Sequence, residues 1–325
     1  MALSPDPAGG DLSPDAPGGL DSAVQLGERL VENLGRVLLG APAALEAAAM
    51  AALSGGHLLI EDVPGVGKTV LARALARSLG TELARIQGQP DLLPSDVTGV
   101  SVFSADEGTW EFRPGPVFAH VILVDELNRT PPRTQSALLE TMEEQQVTVD
   151  GESWPLPNPH LVVATQNPHS QLGTYPLVDS QLDRFALCTT VGYPDAETEA
   201  RLVRHHGGKF ALHELEPVSD IPGWLAAQRA TETVEVAPAV ARYAVELARA
   251  TRHAAGVRVG ASPRASIWLI RTAQAHAVLA SRGYVVPDDV KAVAPACLAH
   301  RLGAGDGTGL AVVRELLATT PSPRP

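Results

Sequence analysis

One stretch limits the fold of this chain more than any other: "HLLIEDVPGVGKTVLARALARSLG", beginning at His57. A short apolar run leads into a Pro/Gly turn, then into a segment with Val70, Leu71, Ala74, Leu75 and Leu79 at helical spacing. That order predicts strand, loop and helix. The loop reads Asp62-Val63-Pro64-Gly65-Val66-Gly67-Lys68-Thr69. A phosphate cradle needs inward-turned backbone N–H groups, a lysine for the outer phosphates and a hydroxyl for Mg²⁺ at the helix start. Gly65, Gly67, Lys68 and Thr69 supply these, with Pro64, Val66 and Val70 beside them as further candidate ATP contacts. The pattern G-x-x-x-x-G-K-[ST] has Asp62 where its first glycine belongs. Asp tolerates positive φ better than most residues, so Asp62 is expected to make the turn in that conformation. The competing reading is a Gly-rich strand–helix turn that binds nothing.

Lysine usage bears on that choice. The chain has three lysines, Lys68, Lys209 and Lys291, and arginine carries nearly all the remaining positive charge. One of the three occupies the position where the phosphate loop calls for lysine.

"ELARIQ", "VILVDE", "LVVATQN" and "FALCTTV" are further strand candidates, and two are continuous apolar runs suited to a parallel sheet covered on both faces. Aromatics make up only 4% of the chain, so Ala, Leu and Val must build the cores, which favours helices and parallel strands. The expected fold is α/β, a three-layer αβα core with a parallel sheet, followed from about residue 193 by a smaller all-helical domain. The boundaries are 1–21 for a Pro/Gly/Ser-rich disordered tail, 22–192 for the core and 193–325 for the helical part, each domain with its own hydrophobic core. Residues 26–53 read as two helical pieces broken around Gly40 to Pro42. "MEEQQVTVDGESWPLP" alternates at Val147 and Val149 around Asp150-Gly151, which predicts a β-hairpin near 146–156.

"VILVDE" ends in Asp125-Glu126, where α/β sheets bind ligands. Asp125 can hold Mg²⁺ through water and Glu126 can polarise an attacking water; alternatively the pair caps the next helix. Asn167 follows another apolar strand and can hold the water or the γ-phosphate, or merely form an Asn-Pro turn. Arg184 in "QLDRF" can reach a neighbouring subunit's γ-phosphate, or pair locally with Asp183. In "GASPRAS", Ser262 reads as N-cap and Pro263 as first helical residue. Arg264 then lies in the first turn against the helix dipole, as a phosphate sensor or a solvated arginine. His205, His206 and His213 lack zinc-ligand spacing.

The formal charge of −12 disfavours a broad nucleic-acid footprint. Cys188 and Cys297 are expected to be reduced thiols in a cytoplasmic protein, and no apolar run reaches membrane-span length.

Together these motifs resemble the MoxR family of AAA+ ATPases over nearly everything after the tail. "EDVPGVGKT", "RIQGQPDLLPSDVTG", "FRPGPVFAHVILVDELNRTPPRTQSALLETMEEQQVTVDG", "ATQNP", "GTYPLVDSQLDRF" and "GASPRA" follow the family's order. Such sequences tolerate the missing first glycine; "PLVDSQLDRF" departs slightly from the common "PLPEAQLDRF" and spares Asp183 and Arg184. The resemblance implies a P-loop AAA+ core and helical lid with ATP between them. It implies Walker A roles for Lys68 and Thr69, Walker B for Asp125 and Glu126, sensor 1 for Asn167, the arginine finger for Arg184 and sensor 2 for Arg264. It implies an adenine contact at Val37 to Gly40, and makes the Val147–Trp154 hairpin the family's insert in the second core helix. It also implies a homo-oligomeric ring, usually a hexamer. The resemblance further implies clients that are remodelled or loaded with metal, often proteins with a von Willebrand factor A domain. An ATP-gated scaffold with negligible turnover and a nucleic-acid motor are the competing functions.

Overall fold

The computed structural model describes residues 19–106, 108–167, 173–204, 209–303 and 308–323. Most of the expected tail, together with Pro168, His205 and His206, lies outside the described residues. Helix α1 (Leu20–Val37) begins inside the stretch read as tail, because Leu20 packs against the core. A turn at Gly40 leads to α2 (Pro42–Ser54), and then β1 (Leu58–Glu61), α3 (Lys68–Ser78) and β2 (Leu83–Gln87) follow. Next come α4 (Pro94–Thr98), the hairpin β3 (Gly99–Ser104) and β4 (Thr109–Pro114), β5 (Val121–Asp125) and α5 (Pro132–Glu144). A second hairpin, β6 (Gln146–Val149) and β7 (Glu152–Pro155), precedes β8 (Leu161–Gln166), α6 (Asp179–Leu182) and β9 (Leu187–Thr189).

The main sheet has five strands in the order β2-β5-β8-β1-β9, and every pairing is parallel. Period-two alternation divides each strand between two cores. Leu58, Ile60, Leu123 and Val163 face one cluster with α1, α2 and α3. Leu59, Ile122, Val124 and Val162 face another, with Leu138, Leu139 and Met142 of α5. Both faces are covered, as continuous apolar strands require.

After β9 the chain is helical: α7 (Ala196–Arg204), α8 (Lys209–Glu214), α9 (Ile221–Glu232), α10 (Pro238–Ala250), α11 (Pro263–Leu279), α12 (Pro287–Leu298) and α13 (Thr308–Thr319). The expectation of a separate core for this part is not met. One cluster runs from α1 and α2 through Trp224, Tyr243, Leu269 and Val293. The link is α2, whose Ala-rich sequence lets neighbours approach from all sides and is buried from Ala47 through Ser54. Trp224 and Gln228 of α9 both donate to the Ala52 carbonyl, at 2.9 and 2.8 Å.

The hairpin expected near 146–156 is there, antiparallel, with Asp150 and Gly151 both at positive φ in its turn. Its place in the core differs from the expectation: it grows from α5, the third helix counted from α3. The second, α4, runs directly into β3–β4, a hairpin that the sequence reading missed. The two hairpins meet through Phe112 and Trp154, stacked at 4.5 Å.

A row of buried histidines lines the N-terminal edge of the sheet. His57 donates through Nε2 to the Met142 carbonyl at 3.1 Å, and its Nδ1 accepts from Val162 N–H at 3.1 Å. Acceptance at Nδ1 needs a neutral ring, with the proton on Nε2. Burial, with His160 alongside, pushes its pKa from 6.5 down to about 3, and burial lowers His160 to about 4. The unfolded chain therefore takes up protons near pH 6.5 that the folded chain refuses until about pH 3 to 4. Stability is full above pH 6.5 and falls as acid is added, by about 2 kcal/mol for each of the two histidines at pH 5. Thermal melts from pH 7.5 to 5 should show this drop; His57→Gln should remove about half of it, the His160 share remaining. A melting temperature that is level over that range would contradict the assignment.

Candidate nucleotide site

Everything read as phosphate chemistry except the two arginines collects at the C-terminal edge of the sheet. The loop after β1 turns through Gly65 (φ 88°) and Gly67 (φ 105°), conformations that glycine adopts freely. Space around a Cβ built on Gly65 is open, so a ligand can approach its backbone. Lys68 opens α3 with Thr69 behind it, and Lys68 Nζ donates to the Asp62 carbonyl at 2.5 Å. Burial pushes the Lys68 ammonium below the usual lysine range, while the carboxylates of Asp62, Asp125 and Glu126 pull it back up.

Asp62 does not do what the sequence suggested. It is absent from the residues at positive φ; its side chain carries the role instead. Oδ1 accepts from Val63 N–H at 2.7 Å, and Oδ2 accepts from Val191 and Gly192 N–H at 2.8 and 2.7 Å. The carboxylate thus ties the loop to the segment leaving β9, across about 130 residues of sequence. Glycine would free the backbone and lose the tie. We expect Asp62→Gly, which restores the usual loop pattern, to destabilise the chain by about 1–3 kcal/mol and to weaken ATP binding. Thermal melts and nucleotide titration check this; tighter binding in the variant would contradict it.

Asp125 and Glu126 stand at the end of β5. Thr165 Oγ donates to Asp125 Oδ1 at 2.8 Å and accepts from Glu126 N–H at 2.9 Å, while Arg85 reaches Asp125 Oδ2 at 2.7 Å. Glu126 sits at φ 57°, a conformation costly for a non-glycine residue and often found at functional sites. Its carboxylate meets Arg129 at 3.0 Å and Gln87 at 3.5 Å. Gly88 makes this corner possible: any Cβ there would lie 2.1 Å from the Glu126 carbonyl. Neither acid caps the following helical turn with its side chain. Asn167 follows β8 at the same edge, and its carbonyl accepts from Asn128 at 3.2 Å.

The α1–α2 turn closes over the loop. A Cβ on Gly67 would lie 2.7 Å from Leu38 Cδ1, and one on Gly40 would lie 3.5 Å from Pro194. Val37 is buried and Gly40 is exposed, so Leu38, between them, is the residue that faces the loop. Sequence reading also missed Thr165 and Arg85. Thr165 follows Ala164, the partner of Val124 in the β5–β8 pairing, and so comes level with Asp125 only once the sheet has formed.

Arg184 and Arg264 lie elsewhere. Arg184 lies three residues before β9 begins at Leu187, and the intervening residues hold the N-terminal edge: Ala186 N–H donates to the His57 carbonyl at 2.9 Å. Arg184 pairs with Glu143 at 3.2 Å, and Arg264 pairs with the other oxygen of the same carboxylate. Glu143 adjoins Met142, the residue bonded to His57, so this trio sits at the edge opposite the phosphate loop. The four residues of β1 separate the edges by about 13 Å. Arg264 therefore does not face the phosphate loop of its own chain. The lid docks otherwise because Ser262, the N-cap of α11, donates to Asp183 at 2.8 Å. Arg301, its side chain fully buried, also holds Asp183 at 3.1 Å and the carbonyls of Phe185 and Ala186. Asp183 therefore serves the lid, and the local pair with Arg184 does not form.

Among the described residues no group of His, Cys, Asp or Glu is arranged to hold a metal by itself, and no helix is long and apolar enough to cross a membrane. Cys188 and Cys297 are unpaired.

The profile of the ATPase family associated with various cellular activities (AAA) matches residues 57–187, and that of the AAA lid domain matches residues 249–314. The chain is 46% identical to YeaC, an uncharacterised protein of Bacillus subtilis, over 84% of this chain and 86% of that one. It is 37% identical to Chaperone MoxR1 of Mycobacterium tuberculosis, over 90% of this chain and 79% of that one. A crystal structure of a candidate ATPase from Cytophaga hutchinsonii superposes with a TM-score of 0.84 at 34% identity, covering 94% of this chain and 98% of the other.

Proposed function

Since this chain belongs to the MoxR family of AAA+ ATPases, we propose that it hydrolyses ATP in a homo-oligomeric ring, a hexamer by family resemblance, in which each site is completed by the neighbouring subunit. The observation that carries this reading is the division of the charged groups. Lys68, Asp125 and Glu126 gather at one edge of the sheet, while Arg184 and Arg264 share Glu143 at the other. One chain alone cannot bring both arginines to its own loop; two chains stacked edge to edge can.

In this scheme the N–H groups of the loop and Lys68 bind the phosphates, and Leu38 and the α1–α2 turn cover the base. Thr69 and Asp125 offer hard oxygen donors at the same edge, a set that suits Mg²⁺. Bound there, the ion would offset charge on the outer phosphates. Glu126 takes a proton from the attacking water as general base, and Asn167 helps to orient that water. Arg184 and Arg264 of the neighbour stabilise charge that develops on the γ-phosphoryl oxygens. A nucleotide-gated scaffold would not need this hydrolytic set.

The output we infer is remodelling or activation of a partner protein, including assistance in inserting a metal or cofactor, with a von Willebrand factor A domain as the expected partner fold. The name of the Mycobacterium tuberculosis relative, Chaperone MoxR1, supports the remodelling part of this reading. Cytoplasmic placement is inferred with it and agrees with two unpaired thiols.

Subunit mixing tests the shared site. Arg184→Ala and Lys68→Ala proteins should each be inactive alone. Mixed, they should regain ATPase activity wherever an intact loop meets an intact arginine. Mixtures as silent as their components would remove the claim.

A further inference from the structure

Nothing in the scheme so far uses Glu143, yet it is the acid that both arginines share. Arg184 Nε lies 3.2 Å from Oε2, and Arg264 holds Oε1. The three side chains are between a quarter and two-fifths exposed, open enough to meet a partner. Two guanidinium groups this close repel each other unless an anion lies between them.

The backbone around the trio is fixed from three directions. Glu143 stands in the last turn of α5, and the preceding carbonyl is held by buried His57. Arg184 lies between Asp183, held by Ser262 and Arg301, and Phe185, whose carbonyl also accepts from Arg301. Arg264 is in the first turn of α11, behind the Ser262 cap. One arginine thus comes from the core and the other from the lid, and Glu143 is where they meet.

We propose that Glu143 is a positioning residue that yokes Arg184 and Arg264 into a single cationic unit offered to the terminal phosphate of the neighbouring subunit's ATP. The proposal rests on the shared-site reading above. Glu143 cancels one of the two positive charges and holds both side chains side by side, leaving one net positive charge facing outward. The planar fork of each guanidinium keeps further N–H donors for a phosphate while it binds the carboxylate. The arrangement also links lid and core mechanically: a lid shift that moves α11 moves Arg264 relative to Arg184 through their common acid.

The test extends the mixing experiment to Glu143→Gln, which keeps the shape and removes the charge. Alone, the variant should assemble and bind ATP as the wild type does, with kcat down about tenfold or more and KM little changed. Glu143→Asp, with the charge on a shorter arm, should recover part of the rate. Mixed with Lys68→Ala subunits, Glu143→Gln should regain activity, because its intact loop then receives arginines ordered by the neighbour's Glu143. A merely structural defect would not be repaired in trans. A Glu143→Gln rate equal to or above wild type, or a loss that mixing leaves unrepaired while Arg184→Ala with Lys68→Ala does recover, would overturn the role of Glu143 alone. If the Arg184→Ala mixture also fails, the shared-site reading itself falls.

Discussion

Glu126→Gln should bind ATP and scarcely turn it over. Glu126 is one of the two acids at the end of β5 and is held at φ 57° by a corner that Gly88 leaves open. Its N–H is fixed on Thr165, so the side chain leaves the strand in a set direction beside Asp125. The amide has nearly the same shape and keeps a hydrogen-bonding oxygen, but cannot accept a proton from water. Removing a general base of this kind costs about 100-fold to 10,000-fold in rate. Binding should persist, because Lys68 and the loop are untouched, and losing a negative charge beside the phosphates lowers repulsion. Single-turnover hydrolysis together with nucleotide titration separates the two effects. Turnover at the wild-type rate would remove Glu126 as the base.

Lys68→Ala should fail one step earlier, at binding. The ammonium is partly buried among Asp62, Asp125 and Glu126, three acids that face the same place as the phosphates. With the cation gone, that acidity is uncompensated, and an incoming polyanion meets it directly. A charged hydrogen bond lost in this way weakens binding about 10- to 100-fold, and the repulsion adds to it. The fold should be spared, since the bond Lys68 makes is to a loop carbonyl, Asp62 O. The melting temperature without nucleotide should stay close to wild type, and the rise on adding ATP should disappear. A preserved rise would mean that the phosphates are held elsewhere.

Local chemistry made the sheet and its C-terminal edge legible. Continuous apolar runs marked the strands, and the Gly-x-Gly-Lys-Thr turn and the Asp-Glu at a strand end marked the loop and the acids. Asp150-Gly151 fixed a hairpin. What stayed hidden depended on residues far apart in sequence. Asp62 looked like a turn residue, because its true partners, Val191 and Gly192, come into reach only when β9 pairs with β1. Arg264 looked like a sensor for its own loop, because nothing local shows that Ser262 and Arg301 fasten the lid to Asp183. Glu143, in the last turn of α5, carries no local signal that sets it apart from the acids beside it. The hairpin β3–β4 escaped for another reason: its outward residues include Phe103 and Trp110, both exposed, so its pattern does not alternate apolar with polar.

The central claim is that assembly creates the active site. The most direct measurement is specific ATPase rate against protein concentration, with oligomer mass recorded on the same samples. A rate that rises as rings form and levels off when they are complete is the predicted result. A rate already full in the monomer, unchanged by assembly, would contradict the shared site, and a flat, near-zero rate despite tight ATP binding would contradict hydrolysis and favour the nucleotide-gated scaffold.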